Sequence, residues 1–148
     1  MSMNESRIVI TQFCDDIRRE VGNKYSLMGC YGDEMIIDKL PTLLPKLCVQ
    51  VRVLTPVDQP FTKLLIRAVL NGESIAEIDV PAQEMAQSYQ DRAPLSDAER
   101  HVVVAIIAIS PLPVSEPCQL KIEADTEDGM LRGSSLSIRE RTAADLSY

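Results

Sequence analysis

The chain has no tryptophan, two phenylalanines, four tyrosines and one histidine. A core built from it must therefore be aliphatic, with Leu, Ile and Val filling the space that aromatic rings take in most proteins. The four cysteines, Cys14, Cys30, Cys48 and Cys118, contain no C-x-x-C pair. That spacing, with the single His101, argues against a zinc knuckle or a thioredoxin-like site. His101 has neither a nucleophile nor an orienting carboxylate close by in sequence, so it reads as a strand-end residue with a structural hydrogen bond. Gly129 and Gly133 are not followed by a GKS or GKT, and Ser134–Ser135 lacks the G-x-S-x-G context of a strained nucleophile.

Long apolar runs are also missing. The longest, His101 to Ile109, is about half the ~20 residues that a bilayer needs. No apolar stretch near the N-terminus is followed by a small-residue cleavage site. The expectation is a cytoplasmic protein whose cysteines stay as free thiols. Basic charge is thin as well, with 15 Lys and Arg against 22 Asp and Glu and a net charge of −7. No basic cluster is larger than Arg18–Arg19, which argues against a broad nucleic-acid surface and against an acidic membrane as a partner.

What is present is a β pattern. RIVITQF, from Arg7 to Phe13, is β-branched and reads as a first strand. The following CDDIRREVGNK opens either as a short helix stopped by Gly22 or as an extended strand turning at Gly22–Asn23. Tyr25 to Tyr31 reads as a strand with Gly29 at a bulge. After a short strand over Glu34 to Ile37, LPTLLPK forms a connecting loop, with Leu43 and Leu44 pinning it to the core. In KLCVQVRV, Leu47, Val49, Val51 and Val53 alternate with Cys48, Gln50 and Arg52, so one face is core. FTKLLIRAVL and SIAEIDV are joined by Asn71–Gly72, the strongest short hairpin signal, because a type I′ turn needs positive φ at both central residues. AQEMAQSYQ is a short helical crossover between sheets. HVVVAIIAI lacks polar alternation and predicts a central strand covered on both faces. QLKIEADT points Leu120, Ile122 and Ala124 inward, turns at Asp128–Gly129, and MLRGSSLSI closes the fold near Ile138.

Turns every eight to twelve residues in a chain without a βαβ pattern predict an all-β fold. The expected form is an immunoglobulin-like antiparallel two-sheet sandwich of about eight or nine strands, with at most one or two short helices. It is one domain over residues 7–138, with flexible termini at 1–6 and 139–148.

The most chemically loaded pair is Asp15–Asp16. Two carboxylates can hold a divalent cation or act as acid and base. Neighbours on a strand point to opposite faces, so a shared ion needs a helix start or a turn at this point. Ion pairing with Arg18 or Lys24 near Glu20, or contact with a partner, are the simpler uses. Asp125, Glu127 and Asp128 lack the oxygen spacing of an EF-hand and read as a solvated hairpin. Tyr25 and Tyr89 are candidate partner anchors.

FCDDIRREVGNKYSLMGCYGDEM, followed by LPTLLPKLCVQVRV, resembles a family of small bacterial proteins of uncharacterised function. The positions that carry the resemblance are Phe13, Asp15, Asp16, Ile17, Arg18, Lys24, Leu27, Gly29, Tyr31, Leu44, Pro45 and Leu47, about a third of the chain, with a looser likeness through LRGSSLSI. The resemblance implies no activity. It marks residues 13–31 as a motif held for fold or partner geometry.

The expected function is a non-enzymatic protein-interaction or structural module without a cofactor, whose partner is a protein, a second copy in a homodimer included. Its candidate residues are Phe13, Asp15, Asp16, Arg18, Glu20, Lys24, Gly29 and Tyr31. The competing expectations are a small-ligand or divalent-metal-dependent enzyme using Asp15 and Asp16, and a phage or envelope-associated assembly component.

Overall fold

The computed structural model describes residues 7–92 and 99–145, residues 88–92 by backbone only. It is an all-β sandwich with one helix. The strands are β1 (Ile8–Glu20), β2 (Lys24–Cys30), β3 (Glu34–Ile37), β4 (Thr42–Leu44), β5 (Leu47–Pro56), β6 (Leu64–Leu70), β7 (Glu73–Val80), β8 (Arg100–Ile109), β9 (Leu112–Val114), β10 (Cys118–Thr126), β11 (Gly129–Arg132) and β12 (Leu136–Glu140), with α1 (Ala82–Arg92) between β7 and β8. The count exceeds the expected eight or nine because short segments read as loops or strand ends, β4, β9 and β11 among them, find pairing partners.

Two sheets face each other. The first has the order β2-β1-β5-β8 and is antiparallel throughout. The second has the order β3-β12-β10-β6-β7, with β11 also paired to β10 and one parallel pair, β12 with β3. A small ribbon of β4 and β9 stands apart from both. α1 carries the chain from the second sheet to the first and places Met85 in the core.

The alternation in the sequence becomes the two inner faces. Val9, Phe13, Leu47, Val49, Val51, Val53, Ala105 and Ile107 from the first sheet meet Leu64, Ile66, Ala68, Leu120, Ile122, Ala124, Leu136 and Ile138 from the second. Removing each Leu or Ile side chain from water here stabilises the fold by about 1.5–3 kcal/mol. The Asn71–Gly72 hairpin has positive φ at both residues, 51° and 80°, as a type I′ turn requires.

Of the two readings left open for residues 15–20, the structure has the extended strand: β1 runs through 13 residues, because its first half pairs β5 and its second half pairs β2. Several local expectations are corrected. Gly29 makes no bulge, since the β1–β2 register is the same on either side of it. Leu43 is exposed, and Leu44 alone of that pair packs on the core. The closing segment is two strands, split where Gly133 N–H bonds to the Ile122 carbonyl. β12 passes Ile138, and Arg139 pairs with Glu34 and Asp145, tying down part of the expected tail. HVVVAIIAI is an edge strand: β8 ends its sheet, with Ala105 and Ile107 inward and Val104 on the open face. Among the described residues, no helix is long and apolar enough to cross a membrane.

Candidate functional site

The motif residues assemble where β1 changes partners. Phe13 is buried in the core, and its carbonyl accepts the Tyr31 N–H at 2.9 Å. Two residues on, Asp15 is exposed to solvent. Its Oδ1 accepts the Tyr31 hydroxyl at 2.5 Å. Its Oδ2 lies over Gly29, whose φ is +69°, so residue 29 has to lack a side chain. Burial, and then the bond to Asp15, push the Tyr31 phenol well above its ordinary range. Gln12 Nε2 closes the group by donating to the carbonyls of Phe13 and Tyr31.

Asp16 faces the other way. Its Oδ1 accepts Lys46 Nζ at 2.6 Å and the Ile17 N–H at 3.0 Å. The bond from Lys46 holds the Asp16 carboxyl below its usual range. Lys46 stands just before β5, two residues ahead of Cys48, as Asp16 stands two residues beyond Cys14, the last β1–β5 pair. The partners expected near Asp16 in sequence, Arg18 and Lys24, are not the ones it uses. Arg18 is exposed opposite Ser26, and Glu20 and Lys24 form the last register pair of the β1–β2 ribbon. Tyr25, half-buried, lies under the Arg19 guanidinium, 5.6 Å from the ring centroid. Tyr89 falls outside the described side chains.

This geometry separates the two carboxylates onto opposite faces of β1 and occupies each with a different partner. They do not form the shared cradle that a divalent ion or an acid–base pair requires. Among the described residues, no group of three or more His, Cys, Asp or Glu is placed to hold a metal ion. Phe13, Asp15, Gly29 and Tyr31 form one packed unit; Asp16 joins β5 instead; Arg18, Glu20 and Lys24 lie along the ribbon. His101 is part-buried near the start of β8, opposite Thr55.

A second polar knot was not legible in the sequence. Arg7, with a side chain only 7% exposed, pairs with Glu127 and Asp128 and donates to the Gln59 carbonyl and Thr55 Oγ1. Its guanidinium also covers the Phe61 ring at 4.5 Å. Burial alone would raise the Glu127 pKa, but the Thr62 and Lys63 N–H groups and Arg7 bring it down to about 2. The acidic turn expected to be solvated is thus partly an anchor. A cation that stands 121 residues before Asp128 in the chain leaves no local signal.

The outer faces of the two sheets differ in chemistry. That of the second sheet is ionic: Arg67 lies between Glu123 and Asp125, and Lys63 reaches Asp125. An open groove of about 850 Å³ crosses it, lined by Arg67, Lys121, Glu123 and Arg139. The outer face of the first sheet is mostly apolar, with Arg52, Gln12 and Gln50 among aliphatic side chains. Its cross-strand rows are Ile8–Leu54–Val102, Ile10–Arg52–Val104 and Gln12–Gln50–Ile106. Ile8, Ile10 and Val104 are each about two-fifths exposed, at 41%, 42% and 41%. The sequence signal for this face was the missing polar alternation in β8, assigned there to a second buried face. Comparison of the chain with protein-family models, with curated proteins and with solved structures finds no match.

Proposed function

We propose that the protein is a non-enzymatic interaction module of the cytoplasm, and that it docks a protein partner, a second copy of itself, through the outer face of its four-stranded sheet. The observation that carries this reading is the contrast between the two outer faces. One is neutralised by ion pairs. The other presents Ile8, Ile10, Leu54, Val102, Val104 and Ile106 in register across three strands. An aliphatic patch interleaved with a few polar residues, as here, has the composition of a protein interface. Gln12, Gln50 and Arg52 lie among these residues and supply the hydrogen bonds that fix orientation at an interface.

The edge supports the same conclusion. β8 is ten residues long and carries no Pro or Lys, the usual devices that keep an edge strand from pairing. A two-fold axis beside it would place the same patch of each copy against the other. The Asp15–Tyr31 unit serves this reading as a brace, holding β2 on β1 at the end of the sheet.

Sedimentation velocity of the full chain over a concentration series tests the proposal. The expected result is a dimer, with Val104→Asp and Ile10→Asp shifting the protein to monomer while circular dichroism stays unchanged. Gln119→Glu, on the opposite sheet, leaves the dimer intact. A wild-type monomer at every concentration, or a dimer that both apolar-face variants leave untouched, overturns it.

A further inference from the structure

Cys14 is the residue at which β1 changes partners. It is the last residue of β1 paired with β5, opposite Cys48, and the first paired with β2, opposite Cys30. Residues directly opposed on antiparallel neighbours project from the same face, so three thiols form a row across three strands. Exposure changes along that row: Cys14 and Cys48 are buried and Cys30 is exposed.

The two junctions of the row differ. The bond from Tyr31 N–H to the Phe13 carbonyl makes Cys14·Cys30 a non-hydrogen-bonded pair, and Cys14·Cys48 therefore a hydrogen-bonded one. The first kind sets Cα atoms about 4.5 Å apart and the second about 5.5 Å. A disulfide needs Cβ atoms about 3.5–4.5 Å apart, which the closer, non-hydrogen-bonded pair approaches better. The exposed thiol belongs to that same pair.

We propose that Cys30 and Cys14 are an oxidisable dithiol, a peroxide-reactive site that closes into a cross-strand disulfide between β1 and β2. Cys30 reacts first, because it is the thiol that solvent reaches. Burial, and then the neighbouring Cys48 and Cys30, push the Cys14 thiol up to about 11, which keeps it protonated and unreactive until a partner sulfur is presented to it. In the first step the Cys30 sulfur attacks one peroxide oxygen. The O–O bond breaks, leaving a sulfenic acid on Cys30 and a hydroxide that takes up the thiol proton as water. In the second step the Cys14 sulfur attacks the Cys30 sulfur. The S–S bond forms, the S–O bond breaks, and the departing hydroxide leaves as water with the Cys14 proton. The two thiols lose two electrons, and the peroxide becomes two waters. This site does not depend on the docking surface proposed above.

The test is hydrogen peroxide treatment of the full chain, alkylation under denaturing conditions and peptide mass mapping. The expected product is a single cross-linked peptide joining Cys14 to Cys30, reversed by dithiothreitol, absent in Cys30→Ser and retained in Cys48→Ser. In Cys14→Ser, a dimedone adduct accumulates on Cys30. A wild-type protein in which Cys30 is over-oxidised while Cys14 stays reduced overturns the proposal. So does a Cys14–Cys48 link, or a Cys30–Cys30 link between chains as the main product. Mapping the wild type decides the matter even if the Cys14→Ser variant fails to fold.

Discussion

A side chain at position 29 would collide with Asp15: a Cβ built on Gly29 comes within 2.3 Å of Asp15 Oδ2. The contact explains why an acid and a glycine stand opposite each other at the root of the β1–β2 ribbon. The carboxylate crosses the glycine to reach the Tyr31 hydroxyl.

Gly29→Ala is therefore expected to cost more than Gly22→Ala. Both residues have positive φ, +69° and +93°, but nothing lies within 4 Å of a Cβ on Gly22. Gly22→Ala carries only the left-handed backbone cost of about 1–2 kcal/mol. Gly29→Ala adds overpacking of about 1–3 kcal/mol. Urea denaturation of the two variants reads the difference. In an Asp15→Ala background the extra cost falls, because only the Asp15 Cβ at 3.1 Å is left against the new methyl group, while the backbone part remains.

Gly133 makes a comparable approach from the other sheet. A Cβ there would meet Thr11 Cγ2 at 2.6 Å and Val9 Cγ1 at 2.9 Å. Gly133→Ala is expected to destabilise by about 1–3 kcal/mol. Thr11→Ser removes the methyl group but keeps the hydroxyl that donates to the Ser134 carbonyl. In that background the cost of Gly133→Ala should fall, and a double-mutant cycle by chemical denaturation measures the coupling.

Acid should loosen the knot around Arg7. The Glu127 pKa is lowered from 4.5 to about 2 by its N–H and Arg7 partners, against the opposing effect of burial. The folded state thus holds the carboxylate more tightly than the unfolded chain does. That contribution is complete above pH 4.5 and is lost as pH falls toward about 2. Urea midpoints of the wild type and Glu127→Gln, compared across this window, should converge at low pH. At neutral pH, Glu127→Gln is expected to cost about 1–3 kcal/mol, the range for a partly buried, charge-assisted hydrogen-bond set.

The Asp16–Lys46 pair is expected to contribute little. Both side chains are more than two-fifths exposed, at 44% and 43%. Lys46→Gln should cost at most about 1 kcal/mol, and the loss should shrink in high salt. A much larger effect in the thermal or urea midpoint would mean that Lys46 is held by more than this pair.

Much of the architecture was legible in the residues. The alternation in β5 and β10 named the core positions correctly, because the side-chain period of a strand is local and needs no knowledge of its neighbours. The Asn71–Gly72 turn followed from backbone sterics alone. The segment after Phe13 was ambiguous between helix and strand, since its charges suit a helix start as well as a solvated ribbon. Pairing with β2 decided it.

The sequence by itself thus determined the class of fold, the inward faces of β5 and β10 and the Asn71–Gly72 turn, all set by interactions over a few residues. Only the tertiary structure decided which strands lie side by side. That choice puts Asp16 beside Lys46 rather than Arg18, aligns Cys30, Cys14 and Cys48 in one row, and brings Arg7 onto Glu127. It also places the apolar β8 at an edge with an open outer face. A run of Val and Ile records that a strand is apolar on both sides, but what covers each side depends on packing between distant segments, and here one side is left open.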